Sequence, residues 1–261
     1  MMYTKICLFF ILMTSVSIHS VGQSHIMFFG GGMKPEALRD KGYSPLLYSG
    51  AGFEGSLGYQ KSKDGKETIW LLKISSGNLS NEFNRNLGTT AVGLINFNFY
   101  NRNTSENPFQ WGWSNNNSFH RRYIDGFLNF NGRSDYFTSF GPSIKYASPF
   151  VLKQRTFSFQ AVSHVQLLGF YLPSGYVSSL PSGFGYEKNS IVASVFKSAY
   201  LFYPGSAWNF GFWSKLEWHL RTGNSLALNY LYEYTRFSKP HVSERSTGSW
   251  IFTFKVLLKN E

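Results

Sequence analysis

Apolar and polar side chains alternate along most of this chain. In the final stretch, Ser249 to Leu258, the side chains of Trp250, Phe252, Phe254, Val256 and Leu258 share one parity, and Ser249, Ile251, Thr253, Lys255 and Leu257 share the other. Successive side chains on a strand point to opposite faces, so this stretch predicts a strand with one continuous apolar face. The period recurs. Ala51, Phe53, Gly55, Leu57 and Tyr59 oppose Gly52, Glu54, Ser56 and Gly58; Trp70, Leu72 and Ile74 oppose Lys73; Ala91, Gly93, Ile95, Phe97 and Phe99 oppose Asn96 and Asn98. Arg155 to Tyr171 sets Phe157, Phe159, Ala161, Val165, Leu167 and Tyr171 against Gln160, His164 and Gln166. Trp208 to Leu220 sets Trp208, Phe210, Phe212, Leu216, Trp218 and Leu220 against Asn209, Lys215, Glu217 and His219. Leu226, Leu228, Tyr230, Tyr232 and Tyr234 then oppose Asn229, Glu233 and Thr235.

Turn signals separate these runs. Lys63-Asp64-Gly65-Lys66, Asn131-Gly132 and Arg221-Thr222-Gly223-Asn224 carry the residues that tolerate positive φ. Asp40-Lys41-Gly42 is a further turn inside a polar stretch, Met33 to Ser44. Gly77 to Leu87, Pro173 to Asn189 and Ser238 to Gly248 read as loops, and Asn115 to Asn117 as a break ending a strand that starts at Phe109. Pro142, inside the run Tyr136 to Tyr146, predicts an edge or a bulge. The whole pattern predicts an all-β fold: an antiparallel up-and-down transmembrane β-barrel of about 10–12 strands, apolar outside and polar inside.

Composition sharpens this. Aromatic residues make up 19% of the chain and charged residues 15%, yet the mean hydropathy is −0.21. A helical membrane protein would be far more apolar. Residues 1–22 read as a signal peptide: Lys5, the short apolar run Ile6 to Met13, then Ser20 and Gly22 at the cleavage positions. Residues 23–261 form the barrel domain, in which no cysteine remains because Cys7 lies in the leader. An exported chain without an apolar helical run can still cross a membrane as a closed barrel. The net charge of +11 is spread without a Lys/Arg cluster or a nucleic-acid motif, so anionic lipid and lipopolysaccharide are the partners it suits.

The closing strand, with Trp250, Phe252 and Phe254 alternating, resembles the C-terminal strand of Gram-negative outer-membrane β-barrel proteins. It departs from them in ending Leu258-Lys259-Asn260-Glu261 rather than on an aromatic residue. The resemblance implies insertion by the barrel assembly machinery and residence in the cell outer membrane.

The inferred lumen face carries Glu54, Lys73, Lys145, His164, Lys215, Glu217, His219, Glu233 and Lys255, with both signs of charge. In a small barrel such side chains fill the interior, which argues against a wide pore. Catalysis has few candidates. Ser163 and His164 are neighbours on a strand and point apart; Ser118 and His120 lie beside the asparagine run. His241-Val242-Ser243-Glu244 brings together residue types that hydrolysis needs, and it distantly resembles the His-x-Ser pattern of outer-membrane lipid A deacylases, with Glu244 where that family has Asn. No metal-ligand spacing occurs, and no cofactor motif: Gly30-Gly31-Gly32 opens no helix. The sequence therefore favours a non-enzymatic envelope barrel, an accessory, binding or narrow transport protein. Its loop residues Tyr176, Phe184, Tyr186, Lys239 and Arg245 suit contact with a ligand or a partner envelope protein. The alternatives are a lipid acyl hydrolase acting through His241, Ser243 and Glu244, and a secreted soluble β-sandwich.

Overall fold

The computed structural model describes residues 24–42, 44–63, 65–100, 108–124, 132–173 and 199–260. Its strands are β1 (Ser24–Asp40), β2 (Ser44–Lys63), β3 (Lys66–Ser80), β4 (Asn86–Tyr100), β5 (Phe109–Ile124) and β6 (Gly132–Leu152). Two interrupted strands follow: β7 (Arg155–Gln166 and Leu168–Leu172) and β8 (Tyr200–Phe202 and Ala207–His219). β9 (Ser225–Phe237) and β10 (Ser243–Asn260) complete the set. Each strand pairs antiparallel with its neighbours in sequence, and β1 pairs with β10 from Ser24↔Asn260 to Asp40↔Ser243. The result is a closed up-and-down barrel of ten strands. The leader, residues 1–22, lies outside the described residues, as does the loop stretch 174–189 with Tyr176, Phe184 and Tyr186.

Call the end where β1 starts and β10 stops the near end, and the other the far end. Two connections at the near end are tight. Lys63 pairs with Lys66 across a turn in which Gly65 has φ 72°, and Leu152 pairs with Arg155 across Lys153 and Gln154, both at positive φ. Gly223, at φ 84°, closes the Arg221–Asn224 turn. The longest connection, from β7 to β8, is at the far end.

The wall departs from the sequence reading in four places. The polar stretch after Met33 is strand, because Lys34, Glu36, Leu38 and Asp40 continue the inward parity of Phe28. The asparagine run 115–117 stays in β5, because its amides bond to one another and to the backbone of the next strand. The loop read over 77–87 shrinks to 81–85, where the Asn81 side chain accepts hydrogen bonds from the backbone N–H groups of Phe83 and Arg85 at 2.9 and 3.0 Å. β10 begins at Ser243, which draws Arg245 out of the loop and onto the inner wall.

A bulge at Leu167 has a larger effect. Its N–H donates to the Phe140 carbonyl at 2.9 Å, and the pairing of β6 with β7 slips by one residue there. Parity therefore inverts beyond it: Phe170 is exposed, whereas Tyr171, read as outward, is 5% exposed and stacks on Phe237 inside, ring centroids 3.8 Å apart. Pro142 lies beside this bulge, in a strand paired with β5 on one side and β7 on the other. A second irregularity, the excursion Tyr203–Ser206 with Gly205 at φ 98°, interrupts β8 opposite the first.

The outer wall is an apolar belt. Phe29, Phe53, Trp70, Trp111, Phe140, Phe212 and Trp250 all project from it. β4 and β5 interrupt the belt. On β4 the aromatic face is the inward one, with Ile95, Phe97 and Phe99 at 2% exposure or less, so Asn96 and Asn98 point out. These amides satisfy one another. Thr68 donates to Asn98 at 3.0 Å, Asn98 to Asn96 at 2.5 Å and Asn96 to the Ile69 carbonyl at 3.3 Å. On β5, Asn117 donates to Asn115 and accepts from the Tyr136 hydroxyl at 3.2 Å. Polar groups facing lipid are tolerated when their hydrogen bonds close within the protein.

Candidate functional site

Among the described residues the lumen is where this fold gathers its buried charges, and struts across it join different strands of the wall. Four levels follow from the near end to the far end. At the first, the Lys145 ammonium reaches across from β6 to the Glu67 carboxylate on β3 at 2.6 and 2.5 Å, and Lys215, Glu217 and Lys255 form an ion cluster on β8 and β10. At the second, Phe28, Ile69, Leu71, Ile95, Phe97, Phe99, Val162, Leu231 and Ile251 pack into one apolar cluster, joined by Trp213. Its members come from β1, β3, β4, β7, β9 and β10, so it spans the barrel from wall to wall.

The third level is ionic again. Lys73 on β3 pairs with Glu233 on β9 at 2.5 Å, and Glu36 accepts from both Lys34 at 2.8 Å and Arg245 at 2.6 Å. The Arg245 guanidinium also meets the His120 ring on the opposite wall. Ser249 donates to Glu54 across the seam at 3.2 Å. At the fourth level Arg122 joins Asp40, at 2.6 Å, to Asp135. Beside it lie two apolar groups, one around Leu38, Tyr48, Leu79, Leu87 and Ile124, the other around Phe137, Tyr171 and Phe237.

Two cavities flank the apolar level and share no lining residue. The far-end cavity is lined by Glu36, His120, Arg122, Arg245 and Ser243 among others. The near-end cavity lies against Lys215, Lys255, Trp213, Gln60 and Ser56.

Of the residues singled out from sequence, Glu54, Lys73, Lys145, His164, Lys215, Glu217 and Lys255 are buried in the lumen. Glu233 is partly exposed there beside Lys73. His219 sits at the near-end rim, with its ring Nε2 3.0 Å from the Ser158 hydroxyl. Lys239 is exposed in the β9–β10 loop. The hydrolase candidates are not brought together. Ser243 faces the far-end cavity, Glu244 takes the opposite face and pairs with Arg236 at 3.4 Å, and His241 is exposed in the loop against Gly42. Ser163 and His164 do point apart, one exposed and one buried. Among the described residues no group of three His, Cys, Asp or Glu is placed to hold a metal.

Sequence reasoning missed Lys34, Glu36, Asp40, Glu67, Arg122 and Trp213. The first three were visible in principle, since the even parity of Phe28 runs unbroken through Lys34, Glu36 and Asp40. Charged residues at every second position obscured the strand, because a strand with charge on its inner face looks like a loop when its outer face holds only Met33, Pro35, Ala37 and Arg39.

No family model matches the chain, and no curated protein matches it in sequence. Three solved structures similar to it are each 12% identical or less. Neisserial surface protein A is 9% identical, with 88% of this chain and 96% of that one covered, at a TM-score of 0.38. The transport unit of the autotransporter AIDA-I from Escherichia coli is 12% identical, covering 93% of each chain, at 0.41. An outer membrane channel from Pseudomonas putida F1 is 9% identical, covering 94% and 98%, at 0.37. The fold itself is read from the strand pairing: a closed ten-stranded barrel with the apolar-out, polar-in wall of the outer-membrane β-barrel class.

Proposed function

We propose that this protein resides in the outer membrane as a barrel without an open through-pore, and that it acts by binding at its two ends rather than by conducting solute. The observation that carries the reading is the apolar cluster around Phe97 and Phe99, which joins opposite walls and lies between two separate cavities. Ionic struts on both sides of it, Lys145–Glu67 and Lys73–Glu233, tie the walls together. An ion or sugar crossing this level would have to part packed apolar side chains. Residence in the membrane is supported by the apolar belt, which a soluble protein would have to cover. Basic residues at both rims, Lys63, Lys66 and Arg155 at the near end and Arg121, Arg236 and Lys239 at the far end, suit anionic head groups on either side, lipopolysaccharide phosphates included.

Liposome swelling tests this. Proteoliposomes carrying the purified protein should swell in an arabinose or glycine gradient no faster than protein-free liposomes. Swelling at the rate of a general porin would refute the closed barrel. Fractionation gives the location: the protein should partition with the outer membrane, and recovery as a soluble periplasmic protein would refute residence there.

A further inference from the structure

The near-end cavity holds more positive than negative charge among its described residues. Lys215 and Lys255 both pair with a single carboxylate, Glu217, at 3.0 and 2.9 Å. The Ser225 hydroxyl donates to the same carboxylate at 2.5 Å. All three charged side chains are more than nine-tenths buried. Among the described residues no other carboxylate is ion-paired to either lysine, so two ammonium groups share one countercharge. A buried ion without a counterion is costly, and the cost falls when an anion of opposite charge is bound.

The surroundings are built to receive one. The Lys215 ammonium lies 5.7 Å from the centroid of the Trp213 ring, and that ring is fixed by its N–H, which donates to the Asn229 side chain at 3.0 Å. Asn229 is committed in turn to Thr253 at 2.7 Å and to the Ile251 carbonyl at 3.2 Å. The cavity floor is the apolar waist itself: Phe28, Leu71, Leu231 and Ile251. Phe28 is held over Gly58, where a Cβ would come within 2.0 Å of its ring. Ser56 and Gln60 complete the wall on β2, and neither spends its side chain on a hydrogen bond to another described residue. Cations on one side and an apolar floor on the other make an amphiphilic site.

Resting on the reading of the barrel as a closed binding protein, we propose that the near-end cavity binds a small amphiphilic monoanion: a carboxylate, seated between Lys215 and Lys255, on a short apolar body that lies against Trp213 and the waist. Glu217 divides its two oxygens between these lysines and the Ser225 hydroxyl, and a second carboxylate would complete the pairing. A phosphate dianion would overshoot it and press unpaired oxygens onto Phe28 and Leu231.

Isothermal titration of the detergent-solubilised full barrel with hexanoate tests the site, with neutral hexanamide and inorganic phosphate as comparison probes. Hexanoate should bind saturably at one per barrel, and the two comparison probes should not bind measurably. Lys215→Met should weaken hexanoate at least tenfold, and Glu217→Gln, which removes the competing carboxylate, should tighten it several-fold. Gln60→Trp, which fills the cavity from the β2 wall without touching the ion cluster, should abolish binding and serves if Lys215→Met fails to fold. Absence of hexanoate binding by the wild-type barrel would overturn the proposal. So would equal binding of hexanamide, preference for phosphate, or unchanged affinity in folded Gln60→Trp. None of these results bears on closure of the waist, which solute flux alone would refute.

Discussion

Phe212 shows what a single position in this wall is asked to do. It projects from the middle of β8 between Ser163 and Tyr232, 40% exposed in a belt of aromatic neighbours. Replacing it by Arg should cost about 2–4 kcal/mol of folding stability in lipid, the range for a cation on the outer face near midplane. Urea titration in lipid vesicles would measure it, and a cost below 0.5 kcal/mol would mean this face is not in lipid. Inward, the Lys145–Glu67 pair has the opposite sensitivity. Lys145→Met strands a carboxylate that is 9% exposed and should cost about 3–5 kcal/mol. The double variant Lys145→Met/Glu67→Gln should recover much of that, because no charge is left behind. Side-chain direction at such positions was legible in sequence wherever one face was apolar and the other charged, as on β8 and β9. It was misleading on β4, where both readings look alike: Phe97 and Phe99 are apolar enough for lipid, and only the far wall shows that they are needed inside.

Strands and turns carry the next level of information. The β6–β7 turn places Lys153 at φ 47° and Gln154 at φ 63°, a pair of left-handed residues that matches the twist of a two-residue hairpin. Neither is the residue such a turn prefers. Lys153→Asn with Gln154→Gly should therefore stabilise the barrel by about 1 kcal/mol, measured as a shift in the urea midpoint. The Leu167 bulge makes a sharper demand. With Cys7 removed, Phe170→Cys should react with a lipid-soluble maleimide and Tyr171→Cys should be protected, as their exposures of 41% and 5% require. The reverse labelling would mean that β7 runs without a bulge. Period-two counting located most strands but carried Tyr171 to the wrong face, because one unpaired residue inverts every side chain beyond it and leaves no mark in composition. β1 and β5 were cut short for a related reason. Their outward faces hold Pro35 and Arg39, or Asn115 and Asn117, and a lipid-facing strand is recognised by that face.

At the scale of the whole molecule, ten strands enclose a lumen only a little wider than the one that side chains fill completely in an eight-stranded barrel. The chain uses that space for alternating ionic and apolar levels. Its inward charges are mostly paired across the lumen or along one wall, and two carboxylates, Glu217 near one end and Glu36 toward the other, each hold two cations. The sequence displayed the mixed charge of the lumen but not its layering, since parity assigns faces and says nothing of which opposite residues meet. Lys73 and Glu233 are 160 positions apart, and Arg245 and His120 are 125. The most direct test of the closed barrel is conductance across a planar bilayer. The wild-type protein should give no sustained channel, while Phe97→Ala/Phe99→Ala, which removes two rings from the waist, should give small discrete openings. Large, stable channels from the wild-type protein would contradict the account.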